Sequence, residues 1–119
     1  MVGTRRIFVT GATGFVGRSV IHALRAEGYG VRCLVRRGSE RDLRGQEAID
    51  RVEADVLAGE TLERAIAGCD TVIHLVGIIR EQPASHVTFA RVHIQGTANL
   101  LEAAAGTGVR RYLHMSARA

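Results

Sequence analysis

Short runs of apolar, often β-branched residues alternate along the chain with longer stretches in which apolar positions return every three or four residues. Ile7-Phe8-Val9-Thr10 is the first run and reads as a strand. From Gly14 to Glu27, Val16, Val20 and Leu24 recur at four-residue steps with Gly17 and Ile21 beside them, which predicts one apolar helical stripe. Gly28 and Gly30 mark its end, because a left-handed C-terminal residue is cheapest for glycine. Val31 to Arg36 predicts the second strand, and Ser39 and Asp42 have capping-box spacing for a short helical turn. Arg51 to Ala54 predicts a weaker third strand, and Leu62, Ala65 and Ile66 a short helix closed by Gly68. Thr71 to Val76 is the fourth and most apolar strand. The longest helix is expected to open at Ser85, to carry Ala90, Ile94, Thr97 and Leu101 on one face, and to end at Gly106. A final strand follows from Arg110 to Ser116. Strands that alternate with helices in this way imply βαβ units, a parallel sheet and right-handed crossovers.

No linker, repeat or low-complexity segment divides residues 1–119, and a chain of this size supports one core. Hydrophobic residues make up 46% and charged residues 24%, which excludes a disordered chain. All 16 basic residues are arginine. Without lysine there is no Schiff-base chemistry and no phosphate loop of the Gly-Lys-Ser/Thr kind. The net charge of +4 invites a nucleic-acid partner, but the arginines are scattered and aromatics are only 4%, so such a partner is disfavoured. Cys33 and Cys69 lack zinc-ligand spacing and read as small buried thiols. No carboxylate pair or His/Cys cluster suggests a metal. The N-terminus does not read as a signal peptide, and the apolar run from Val72 to Ile79 is too short to span a bilayer. A cytoplasmic location is the resulting expectation.

The motif with chemical content is Thr10-Gly11-Ala12-Thr13-Gly14-Phe15-Val16-Gly17, between a predicted strand and helix. Gly11 permits a tight turn, Gly14 lets backbone approach a pyrophosphate, and Gly17 lets the helix pack closely on the sheet. The free N–H groups at the helix start then favour an anion. A dinucleotide is therefore expected, and the end of the second strand selects which one. An acid there would bond the ribose 2′-OH; this chain has Arg36-Arg37 and no acid until Glu40. A guanidinium matches a 2′-phosphate bidentately, so NADP(H) is expected over NAD(H), with Arg36 the contact and Arg37 assisting.

The same motif resembles the fingerprint of the extended and atypical short-chain dehydrogenase/reductases. Further segments match in order. Asp55-Val56 looks like the family's adenine-contacting pair, and the segment from Asp70 to Gly77, with Leu75, Val76 and Gly77, like the turn that passes the adenosine ribose. Val92 to Ala104 is similar to the family's long-helix signature, with His93 where Asn is usual. Arg110 to Ser116 resembles the fifth strand, which ends in the catalytic serine, Ser116 here. The wording from His74 to Arg80 and from Tyr112 to Ser116 further resembles epimerase/dehydratase-like proteins related to the NADPH-binding accessory subunit of respiratory complex I.

The resemblance implies a Rossmann-type doubly wound parallel sheet, truncated after the fifth strand, with strand order 3-2-1-4-5. It also implies a Tyr-x-x-x-Lys pair after the serine as the acid/base machinery, and that pair is missing. Tyr29 and Tyr112 lie in the wrong elements. The chain alone is thus expected to bind cofactor without catalysis. Its uncovered sheet edge predicts the N-terminal part of a longer protein or a homodimer. Three functions stay open: the cofactor half of an NAD(P)-dependent oxidoreductase or epimerase, a non-catalytic NADPH-binding protein, and a basic nucleic-acid-binding module. His74 and His114 flank the expected cleft as structural histidines.

Overall fold

Ile7, Phe8 and Val9 lie at the centre of a five-stranded parallel sheet and are covered on both its faces, as an unbroken apolar run requires. The computed structural model describes residues 5–12, 15–35, 49–75 and 94–115. In chain order the elements are β1 (Arg6–Thr10), α1 (Phe15–Ala26), β2 (Gly30–Val35), β3 (Asp50–Glu53), α2 (Gly59–Ile66), β4 (Thr71–His74), α3 (Gly96–Ala105) and β5 (Arg111–His114). The strands run in the order β3-β2-β1-β4-β5, and every neighbouring pair is parallel. The expected topology is the observed one. The predicted turn at Ser39–Asp42 and the helix start at Ser85 lie outside the described residues.

Alternate residues of a strand face opposite sides of the sheet, and this splits the core in two. On one side Ile7, Val9, Val31, Cys33 and Val35 meet Ile21 of α1. On the other, Phe8, Leu34 and Val72 meet Leu62, Ile66 and Leu100 from α2 and α3. Burying each of these large side chains contributes about 1.5–3 kcal/mol. The buried line of α1 is Gly17 and Ile21, whereas Val16 at the head of the predicted stripe faces outward. Gly28 closes α1 at φ +87°, with its own N–H returning to Arg25 O (3.0 Å) and that of Tyr29 to Leu24 O (3.1 Å). At the far end of α2, Arg32 of β2 donates to the carbonyls of Ala65 (2.9 Å) and Ala67 (2.6 Å) and to Asp50 Oδ2 (2.8 Å). A guanidinium at a helix C-terminus satisfies orphan carbonyls and matches the dipole.

The face of α3 differs from the expectation. Ile94 and Leu101, expected on the core side, are 70% and 46% exposed. The buried positions are Gly96, Leu100, Ala103 and Ala104, with Thr97 half-buried beside them. The reason is steric. Small residues let α3 approach α2 and the sheet closely, so the packed line follows small size rather than hydrophobicity. On β5, Tyr112 packs against the core of α2 and α3, while Leu113 and Met115 on the opposite face are 49% and 45% exposed. An apolar part of the sheet is therefore uncovered, as expected for β5.

Cys33 and Cys69 are free and buried. Burial pushes the Cys33 thiol up to about 12 and shifts Cys69 the same way. Two outcomes follow for stability. Leu100→Ala is expected to cost about 2–5 kcal/mol in denaturant unfolding, and Leu101→Ala less than about 1 kcal/mol; the reverse ranking would return α3 to the face predicted from its hydrophobic period. Because the folded pKa of Cys33 lies above its unfolded value of 9.0, its contribution is complete below that pH and falls as pH rises. Stability is expected to decline above about pH 9, by up to about 1.4 kcal/mol per pH unit for each buried thiol. Cys33→Ala should show a shallower decline across the same pH series.

Candidate functional site

β1 lies between β2 and β4, and the connections leave it in opposite directions. At such a reversal a crevice opens beyond the C-terminal ends of the strands, here those of β1 and β4. Gly11 follows β1 directly at φ +75°, and a Cβ there would lie 2.7 Å from the carbonyl carbon of Leu75 and 2.9 Å from its oxygen. Gly17 is held still more tightly, since its Cβ would lie 2.1 Å from Gly11 O and 2.8 Å from Ala12 Cα. Both opposing groups are backbone and neither can turn aside. The bare glycines thus let the end of β1, the first turn of α1 and the end of β4 converge. Phe15 and Val16 in the first turn of α1 are 88% and 41% exposed, and no acidic residue of that turn neutralises the positive end of the helix dipole. This is the local chemistry of an anion cradle.

A buried polar chain runs behind the turn. Thr10 and His74 are register partners on β1 and β4, and Thr10 Oγ1 shares a 2.7 Å hydrogen bond with His74 Nδ1. The same hydroxyl accepts the Leu75 N–H at 3.1 Å. On the other side of the ring, His74 Nε2 shares a 3.2 Å hydrogen bond with Thr97 Oγ1 of α3. His74 is fully buried, as a structural histidine should be, and its ring lies 5.1 Å from that of His114 and 6.3 Å from that of Tyr112. Met115 N–H donates to His74 O at 3.1 Å and extends the β4–β5 ladder.

The loop after β3 leaves the same end of the parallel sheet. Asp55 Oδ1 accepts the Leu57 N–H (2.9 Å), which folds the chain into an Asx turn. Thr61 Oγ1 donates to Ala58 O (2.7 Å) and accepts the Asp55 N–H (3.4 Å). Val56 is buried in the core, and its carbonyl accepts Asn99 Nδ2 of α3 at 2.8 Å.

The structure therefore brings Gly11 close to both Gly17 and Leu75, and places Asp55 and Val56 on the loop that follows β3. Thr13, Gly14, Arg36, Arg37, Val76, Gly77, His93 and Ser116 lie outside the described residues. Sequence reasoning assigned no role to Asn99 and treated Thr97 as one position of an apolar face. The signal for Thr97 was a polar residue set within a stripe read as core. Tyr112, whose hydroxyl is buried with no partner among the described residues, is pushed up to about 12 by desolvation. It stays protonated near neutrality and is not a base there. Among the described residues no group of three or more His, Cys, Asp or Glu side chains could hold a metal ion, and no helix is long and apolar enough to cross a membrane.

The NAD dependent epimerase/dehydratase family model matches residues 7–119. The 4-hydroxy-2-methyl-3-oxo-4-farnesyl-3,4-dihydroquinoline-1-oxide ketoreductase of Stigmatella aurantiaca is 34% identical over 122 residues, across 96% of this chain and 34% of its own. The 3-diazoavenalumate denitrifying reductase of a Streptomyces species is 37% identical over 117 residues, across 93% of this chain and 37% of its own. A crystal structure of a short-chain dehydrogenase/reductase superfamily protein from Agrobacterium tumefaciens with bound NAD superposes with a TM-score of 0.78 at 34% identity. That match covers 95% of this chain and 33% of the other. The chain thus spans about a third of the length of these relatives. With a family match that begins at the first buried residue of β1 and takes in the whole sheet, the chain belongs to the NAD dependent epimerase/dehydratase family.

Proposed function

We propose that this chain binds a nicotinamide adenine dinucleotide at the β1–β4 crevice, as the cofactor-binding part of an oxidoreductase or epimerase, with NADP(H) preferred over NAD(H). The observation that carries this is the pair Gly11 and Gly17, where a Cβ would collide with Leu75 and with the Gly11 carbonyl. The residues present fit the cofactor: Gly11 and Gly17 leave backbone without a side chain where a pyrophosphate needs it, and the start of α1 offers N–H groups. By the family pattern of the sequence, Asp55 and Val56 are assigned to the adenine and Leu75, Val76 and Gly77 to its ribose. When bound, the dinucleotide supplies hydride transfer at its nicotinamide.

The preference for NADP(H) rests on Arg36 and Arg37, which stand where an acid would select NAD(H). Ser116 polarises the substrate oxygen in this proposal, and His93, where the family usually has Asn, keeps a polar role toward the cofactor. A Tyr-x-x-x-Lys pair is not among the 119 residues. Leu113 and Met115 offer the surface for further polypeptide or a second copy to cover. Buried free thiols accord with a cytoplasmic location.

Titration of the 119-residue protein with NADPH and NADH, followed by nicotinamide fluorescence or calorimetry, tests the proposal. NADPH is expected to bind tighter by about tenfold or more, the worth of a charge-assisted phosphate contact, and Arg36→Glu to abolish the difference. Equal affinities in the unsubstituted protein would refute the NADP(H) preference, and no binding of either would refute the dinucleotide site.

A further inference from the structure

α3 reaches by hydrogen bonds both the end of β4 and the loop after β3. Thr97 and Asn99 lie two positions apart on the helix, so their side chains point in widely different directions. Thr97 meets His74, and His74 meets Thr10, whose hydroxyl accepts the Leu75 N–H. The Leu75 backbone is in turn the group against which Gly11 turns. Asn99, steadied by a 2.8 Å bond to its Oδ1 from Gln95 Nε2, donates to the Val56 carbonyl. One helix therefore tethers both the strand end behind the Gly11–Leu75 turn and the Asp55–Val56 loop, the two segments that the proposed function takes as walls of the dinucleotide site.

We propose that Thr97, through His74 and Thr10, and Asn99, through the Val56 carbonyl, are positioning residues that set the distance between these two walls for the dinucleotide. The proposal rests on the dinucleotide reading of the crevice and extends it to α3. The geometry favours this over simple core packing. Thr97 Oγ1 and Asn99 Nδ2 each reach beyond the helix pair, one to a strand end and the other to the loop beside one. His74 is fully buried, so its bond to Thr10 is little weakened by water and holds the two strand ends in one arrangement. A site held this way needs less ordering when ligand arrives.

The test measures NADPH and NADH dissociation constants alongside thermal melting for the 119-residue protein and its T97V, T97S and N99A variants. T97V keeps the volume of the side chain and removes the hydroxyl; T97S keeps the hydroxyl. T97V and N99A are each expected to weaken nucleotide binding about three- to tenfold, the scale of one hydrogen bond. T97S is expected to restore the unsubstituted affinity. A purely structural role predicts a lowered melting temperature with unchanged dissociation constants, and that result overturns the proposal. Failure of T97S to restore affinity overturns the part assigned to the Thr97 hydroxyl. If T97V does not fold, N99A at its half-buried position carries the same comparison. Binding by the unsubstituted protein that is indifferent to both variants removes this proposal alone, whereas no binding by the unsubstituted protein removes the dinucleotide site with it.

Discussion

The site depends on how closely α1 approaches the turn that precedes it. A side chain at Gly17 would begin 2.1 Å from the carbonyl oxygen of Gly11, well inside any non-bonded contact. With only a hydrogen there, α1 seats against the end of β1 and directs its first N–H groups at the crevice. The same contact fixes Gly11, whose own missing Cβ lets Leu75 close in from β4. Strand order, helix direction and an open backbone surface thus meet at two residues that have no side chains. The rest of the fold holds these two in register, with Ile21 pinning α1 to Ile7, Val9 and Val31.

Much of this architecture is legible in the sequence because parallel sheets leave a strong trace. Ile7 to Val9 is apolar without alternation, which only a strand covered on both faces explains, and the glycines that follow allow a single kind of turn. The face of α3 was not legible. Its period was read from Ile94 and Leu101, the large apolar residues, whereas contact with α2 selected Gly96, Ala103 and Ala104, which a hydrophobic count scarcely weighs. The bond between Thr10 and His74 was hidden for a different reason. The residues lie 64 positions apart and meet only because β1 and β4 pair in one register, which no local pattern encodes.

The all-arginine composition takes on a different meaning once the fold is known. Arg32 spends its guanidinium on the last carbonyls of α2 and on Asp50, and Arg6 lies 3.6 Å from the same carboxylate. Part of the positive charge is therefore structural. A planar fork suits Arg32, since one side chain must reach two carbonyls and a carboxylate at once, and a lysine ammonium offers no such spread. The net charge of +4 is accordingly poor evidence for a polyanionic partner.

The linked side chains of Thr10, His74 and Thr97 stand out among described buried residues that are mostly apolar. Buried polar groups are costly unless each finds a partner, and a Val or Ile at these positions would pack without that demand. What a hydrophobic side chain lacks is direction. Dispersion contacts tolerate sliding, whereas a chain of bonds at 2.7 to 3.2 Å fixes the strand ends of β1 and β4 and a turn of α3 relative to one another. Such a device is expected where backbone position itself is the functional quantity, and the cluster sits directly behind Gly11 and Leu75, where the candidate ligand would meet backbone and little else.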